Sequence, residues 1–249
     1  MNSKSWQSFD GRIRMLKQHL QLSDLAITLA NKKANSVTDN GKKIAEVLGG
    51  SLDTHRQLNL PNQKEVIKLA IVTSRKKLHE QAIIELYSEF SNYMSCIISE
   101  MEHKQPKRFL SILAQDSEQG IKYHDIIKIG NYDSLIDEMA NRVFRTLENK
   151  RNTKDLLKTV IKSAKITIDN DTLETALAYL ELRHLIIHNN TKADAKFLSL
   201  PKRDIVIVNR RNQKINLNFQ VTNEALNAVF RLCKLIDNAL VDKHLVNPI

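Results

Sequence analysis

Residues 62–103 constrain this chain more than any other stretch, because their apolar residues recur at intervals of three and four along the whole segment. Val66, Leu69, Ala70 and Val72 lead into Leu78, Ala82, Ile83, Leu86, Phe90, Tyr93, Met94, Ile97, Ile98 and Met101. A strand alternates every two residues, whereas this pattern returns to one face with the helical period. The stretch predicts a very long helix, interrupted at most once near Ser74–Lys77. Pro106 lies beyond its end, where a fixed φ and a missing N–H block continuation. A helix of that length reads as the spine of a bundle or as a dimer-forming element.

The rest of the chain follows the same logic. Six glycines and four prolines in 249 residues leave few places to break a helix. Residues 9–22 and 24–48 read as helical, with Asn40-Gly41 as a possible break and Gly49-Gly50 as a stop. Residues 51–61 read as a linker, so 1–60 form an expected N-terminal helical appendage and 61–249 the main helical domain. Short helical turns are expected around 107–113 and 123–127, then helices over Tyr132–Glu148 and Thr153–Ala164. Asp171-Thr-Leu-Glu174 has the spacing of a capping box. It would open a helix whose Leu173, Ala176, Leu177, Leu180 and Leu185 face a core.

After Asn190 the pattern changes. Asp204–Val208 and Lys214–Phe219 are short and β-like, with Arg210–Gln213 as the turn between them. Thr222 or Asn223 then opens a last helix running to about His244, carrying Leu226, Val229, Phe230, Cys233, Leu235, Ile236 and Leu240. The expected fold class is mainly α, a helical bundle with a small β-hairpin inserted before the last helix.

Charge narrows the choice of partner. The net charge of +10 points to a polyanion. Between Thr191 and Lys214, seven cations (Lys192, Lys196, Lys202, Arg203, Arg210, Arg211 and Lys214) stand against Asp194 and Asp204. A second concentration runs from Arg142 and Arg145 through Lys150, Arg151, Lys154, Lys158 and Lys162 to Lys165. Such charge suits a phosphate backbone, while 5% aromatic residues argue against an extended base-stacking platform. No run approaches the ~18 apolar residues of a membrane span, and the first residues lack the apolar core of a signal peptide. Cys96 and Cys233 read as reduced, buried thiols, and the expected location is cytoplasmic.

The basic segment follows Glu181-Leu-Arg-His-Leu-Ile-Ile-His-Asn-Asn190. Arg183 and His188 sit near the end of a helix, five positions apart, which places them ~140° apart around the axis and about one turn along it. His184 lies four residues before His188, on nearly the same face. An arginine that holds phosphate and a histidine that moves a proton are sufficient parts for cutting RNA without a metal. His188 alone also reads as a helix-terminal histidine favoured by the dipole, and Asn189-Asn190 as a left-handed C-cap. The His184/His188 spacing suits zinc, but no Glu lies between them and no third ligand is evident, so neither metal nor cofactor is expected.

This stretch resembles the HEPN superfamily, whose signature is an arginine, four to six residues and a histidine, with a polar residue after the arginine. Arg183, His184 and His188 occupy those places, and the resemblance spans roughly residues 62–247. It implies an endoribonuclease of toxin–antitoxin or anti-phage defence, acting on RNA as a homodimer with a composite cleft, and held by an antitoxin or defence-system partner. In HEPN toxins modified by a partner nucleotidyltransferase, a tyrosine lies two residues after the histidine. Asn190 stands there, which departs from that mode of control.

In the expected reaction His188 takes the proton of a ribose 2′-OH, Arg183 binds the phosphorane, and a second acid protonates the leaving 5′-oxygen. The products are a 2′,3′-cyclic phosphate and a 5′-hydroxyl. His184 is placed to be that acid, to orient His188 or to contact phosphate, and His188 of a second copy is the other source. Asn189, Lys192, Arg142 and Arg145 are the candidate substrate contacts. Two alternatives compete with the ribonuclease. One is a non-catalytic HEPN-like module that binds RNA or protein, and the other is a structural helical subunit with incidental charge.

Overall fold

In a computed structural model the protein is mainly helical, as its periodicity predicts. Residues 2–36, 42–51, 53–60, 63–105, 123–150, 153–201 and 210–248 are described. The helices are α1 (Lys4–Ser36), α2 (Ile44–Leu48), α3 (Lys64–Lys104), α4 (Tyr123–Ile129), α5 (Tyr132–Lys150), α6 (Thr153–Ala164), α7 (Asn170–His188), α8 (Ala195–Leu198) and α9 (Phe219–Asp242), with a 3-10 turn at Arg56–Leu58.

α3 is the spine. It runs unbroken through Ser74–Lys77, because that polar run is a solvated turn rather than a stop. Lys76 and Lys77 reach Glu80 at 3.2 and 2.9 Å across it, the helical spacing at which opposite charges support the backbone. Ile83, Leu86, Phe90, Tyr93, Met94, Ile97 and Ile98 are buried along one face. α1 and α9 pack on that face, and an aromatic cluster joins the three helices. Trp6 lies 4.9 Å from Phe230 and 5.8 Å from Phe9, and Phe9 lies 5.0 Å from Tyr93. α7 packs on α9 and α3. α5 covers another part of α3, and α6 bridges α5 to α7.

Several expectations shift. The two N-terminal helices expected over 9–22 and 24–48 are one helix to Ser36, and the possible break at Asn40-Gly41 lies outside the described residues. α1 also does not stand apart as an appendage. Trp6, Phe9, Ile13, Leu16 and Leu20 belong to the main core, and the backbone N–H of Ser3 donates to the buried Asp237 carboxylate at 3.0 Å. Only its far end joins a separate small cluster, in which Ala34 packs with Ile44, Val47 and Ile67.

The hairpin is not seen among the described residues. Its first arm and the turns expected at 107–113 lie outside the described residues. Its second arm is a loop rather than a strand. Lys214 bridges to Lys192 instead, and Phe219 is already the first residue of α9. Asn218 caps that helix by accepting from the Val221 N–H at 2.9 Å, upstream of the expected Thr222 or Asn223. Both cysteines are free, but only Cys233 is buried; Cys96 is exposed, as the helical face it occupies requires. Among the described residues, no helix is long and apolar enough to cross a membrane.

Candidate functional site

α7 carries the arginine and both histidines, and its two ends fix where they sit. The helix begins two residues before the expected capping box. Asp169 accepts from the N–H groups of Asp171 and Thr172 at 3.1 and 2.8 Å, because an Asp side chain in the N-cap position satisfies the orphan donors of the first turn. Hydrogen bonding from the Thr172 hydroxyl, and then from these backbone N–H groups, holds the Asp169 carboxyl below its usual range. All five core positions expected on α7 are buried, together with Ala178, Tyr179 and Leu182. Burial on so many sides locks the rotation of the helix and hence the direction of each motif side chain.

At the other end the chain leaves α7 abruptly. Asn189 closes the helix through its N–H to the Leu185 carbonyl. Asn190 and Thr191 then both take left-handed backbone, with φ of 49° and 59°. Asparagine tolerates that region, but a β-branched threonine does so only under constraint. The constraint is visible. Thr191 is buried, its N–H donates to the Leu185 carbonyl at 2.9 Å, and its carbonyl accepts from the Ile215 N–H at 2.8 Å. The loop from Lys214 onward therefore clamps the exit of the motif helix.

That exit returns Asp194 to the histidines. Its Oδ1 caps α8 by accepting from the Phe197 N–H at 2.7 Å, and its Oδ2 accepts from Asn189 Nδ2 at 3.1 Å. The Nε2 of His184 lies 4.0 Å from the same Oδ2, at the edge of ion-pair range. The rings of His184 and His188 lie with centroids 4.8 Å apart, their planes tilted by 44°. His184 is half-buried and His188 exposed. Four groups thus meet at the end of α7: His184, His188, Asn189 and Asp194.

Arg183 belongs to a different contact. Its guanidinium lies over the ring of Tyr87 on α3, 4.9 Å from the centroid, in a cation–π stack. Tyr87 also borders a small cavity with Phe90, Phe144 and Thr153. The arginine is therefore held by an aromatic plane while it remains partly exposed. Of the other candidates, Lys192 is exposed next to the Lys214 bridge, Arg142 is tied to Glu138 on α5 at 2.8 Å, and Arg145 is exposed on that helix. Lys196 pairs with Glu181 at 2.7 Å.

Two residues that matter here escape sequence reasoning. Asp194 carries a signal, an Asp three residues before Phe197 at the start of a helical turn, but that signal speaks of capping rather than of histidines. Tyr87 carries none, since nothing in a periodic pattern tells which tyrosine of α3 meets α7. Among the described residues, no three His, Cys, Asp or Glu side chains cluster as a metal site would need. Comparison with protein-family models, with curated proteins and with solved structures finds no match to this chain.

Proposed function

We propose that the protein is a metal-independent endoribonuclease with its site at the C-terminal end of α7. The observation that carries the reading is the histidine pair, with rings 4.8 Å apart and a carboxylate beside one of them. Transesterification at a ribose needs one group to take the 2′-OH proton and another to give a proton to the 5′-oxygen. His188, the more exposed ring, serves as base. His184, with Asp194 positioned to answer an imidazolium, serves as acid. Arg183, stacked on Tyr87, presents its planar donors to the pentacovalent phosphorane. Lys192 and Asn189 contact the strand on either side.

The enzyme acts in toxin–antitoxin or anti-phage defence, in the cytoplasm, as a homodimer under the control of a partner protein. The HEPN resemblance of Arg183, His184 and His188 supports this, as does the basic character of the chain. The test is cleavage of end-labelled RNA in EDTA by wild type, His188→Ala and Arg183→Ala. The expected outcome is cyclic-phosphate ends from wild type and a loss of about 100-fold or more in either variant, the scale of a general base or an oxyanion clamp. Equal cleavage by wild type and His188→Ala would sink the assignment.

One observation favours a second reading, a non-catalytic module that binds a protein. Met15, Leu22, Leu25 and Leu29 are exposed at intervals of seven, three and four along α1, on the side away from its core residues. Such an apolar stripe is the usual mark of an interaction surface. Absence of cleavage together with retained partner binding in His188→Ala would favour it.

A further inference from the structure

A cavity of about 450 Å³ lies between the N-terminal half of α3 and the loop that clamps the exit of α7. Its volume is within the range of small-molecule sites, roughly 300–1,000 Å³. Two kinds of wall meet in it. Val72 from α3 and Ile215 and Leu217 from the loop give an aliphatic slot, and Arg75, Lys76 and Lys214 supply cations from both sides. Acid partly answers them: Asp24 sits 3.5 Å from Arg75, and Glu80 pairs with Lys76 and Lys77. Three lining cations, Arg75, Lys76 and Lys214, against the carboxylates of Asp24 and Glu80 leave an excess of positive charge. Lys214, on the loop side, forms no ion pair among the described residues.

A third feature is neutral and directional. His79 lines the cavity, yet only 3% of it is exposed. The Thr222 hydroxyl donates to the Asn218 carbonyl at 2.9 Å and lies 3.2 Å from His79 Nδ1. In the tautomer that satisfies both contacts, the Thr222 hydroxyl donates to Asn218, Nδ1 donates to the hydroxyl oxygen, and Nε2 is left as an acceptor. Burial pushes the His79 pKa down, which favours the neutral ring. An aliphatic slot, an excess of cations and a fixed acceptor for a hydroxyl or amine together describe a ligand with a flat apolar body, a hydroxyl or amine donor and a phosphate.

We propose that this cavity binds a phosphate-bearing nucleotide, supplied either free or as one unit of an RNA strand. The base lies against Val72 and Leu217, the phosphate meets Lys214 and Arg75, and a ribose hydroxyl or exocyclic amine donates to His79 Nε2. The site is distinct from the histidine pair but adjacent along the chain, because Thr191 lines it three residues after His188. It does not depend on cleavage, so the two readings fail separately.

The test is calorimetric titration of the full chain with AMP, UMP and adenosine at low salt, beside fluorescence anisotropy with a labelled oligouridylate. Val72 is 56% exposed, so Val72→Trp fills the slot without opening the core. The expected result is saturable binding of a mononucleotide. Val72→Trp should weaken it about tenfold and Lys214→Ala about fivefold, while His188→Ala leaves it within about twofold and adenosine binds about tenfold more weakly than AMP. Equal loss of oligonucleotide binding in Val72→Trp would identify the strand as the source, and loss of mononucleotide binding alone would identify the free nucleotide. The proposal is overturned if neither probe binds wild type, if Val72→Trp binds both as wild type does, or if adenosine matches AMP. A thermal melt of each variant separates a filled slot from an unfolded protein.

Discussion

Arg183 shows how a single neighbour decides what a motif residue can do. A free arginine on a helix surface loses rotamer entropy when it grips a phosphate, whereas one already lying on Tyr87 has less to lose. Tyr87→Leu should therefore reduce RNA cleavage while Arg183 remains present, and Tyr87→Phe, which keeps the ring, should retain most activity; equal loss in both would argue against a stacking role. Glu102 offers a second residue-scale prediction. It is buried at the end of α3, neither carboxylate oxygen has a hydrogen-bond partner among the described residues, and burial raises its pKa from 4.5 to about 8. Between those values the folded state holds a proton that the unfolded state has released. Stability therefore falls as pH rises through the window, and the full deficit stands above about pH 8. Glu102→Gln should match wild type near pH 4 and exceed it near pH 9, by an amount on the order of a few kcal/mol. Urea titrations at the two pH values check this, and parallel curves would reject it. The motif histidines stood in the sequence, but Tyr87, Asp194 and Glu102 acquire their roles only through neighbours distant in the chain, and sequence alone does not carry such neighbours.

Elements were more legible than their joints. The long helix, α6 and the core face of α7 follow from periodicity, because burial against neighbours rewards the positions that the pattern marks. The second arm of the expected hairpin is not a strand, for the reason that β-like runs often mislead: Ile215 and Leu217 alternate like one, yet the partner of Lys214 is Lys192, and backbone pairing is not local information. The two helices expected at the N-terminus part at Ser23, which α1 runs straight through, and α1 also takes in Gly11. That glycine is exposed within the helix, and a Cβ built there meets nothing within 4 Å. Gly11→Ala should raise stability by about 0.5–1 kcal/mol, because alanine reduces the freedom of the unfolded chain and clashes with nothing. The opposite effect is expected at Trp6, buried between Phe9, Tyr93 and Phe230. Trp6→Ala should cost about 3–5 kcal/mol through the cavity it leaves. Chemical denaturation measures both, and a Trp6 variant as stable as wild type would mean that α1 is not part of the cooperative core.

For the whole molecule, charge and topology are separate matters. The +10 balance does not hold the fold together, but it should govern association with nucleic acid. The logarithm of RNA affinity should fall linearly with the logarithm of salt concentration, the affinity dropping tenfold or more between about 50 and about 200 mM; an affinity indifferent to salt would exclude a phosphate-driven interface. Topology brings a different consequence. Ser3 and Pro248 form an antiparallel bridge, and Asp237 holds Ser3 from the last helix. These two residues therefore lie side by side. A short peptide joining Pro248 to Ser3 would close the stretch between them into a ring that keeps this pairing. Circularisation would restrict only the unfolded ensemble, a gain of about 5 kcal/mol by the loop-closure estimate, and such a ring could be reopened between other helices to test which connections the architecture needs.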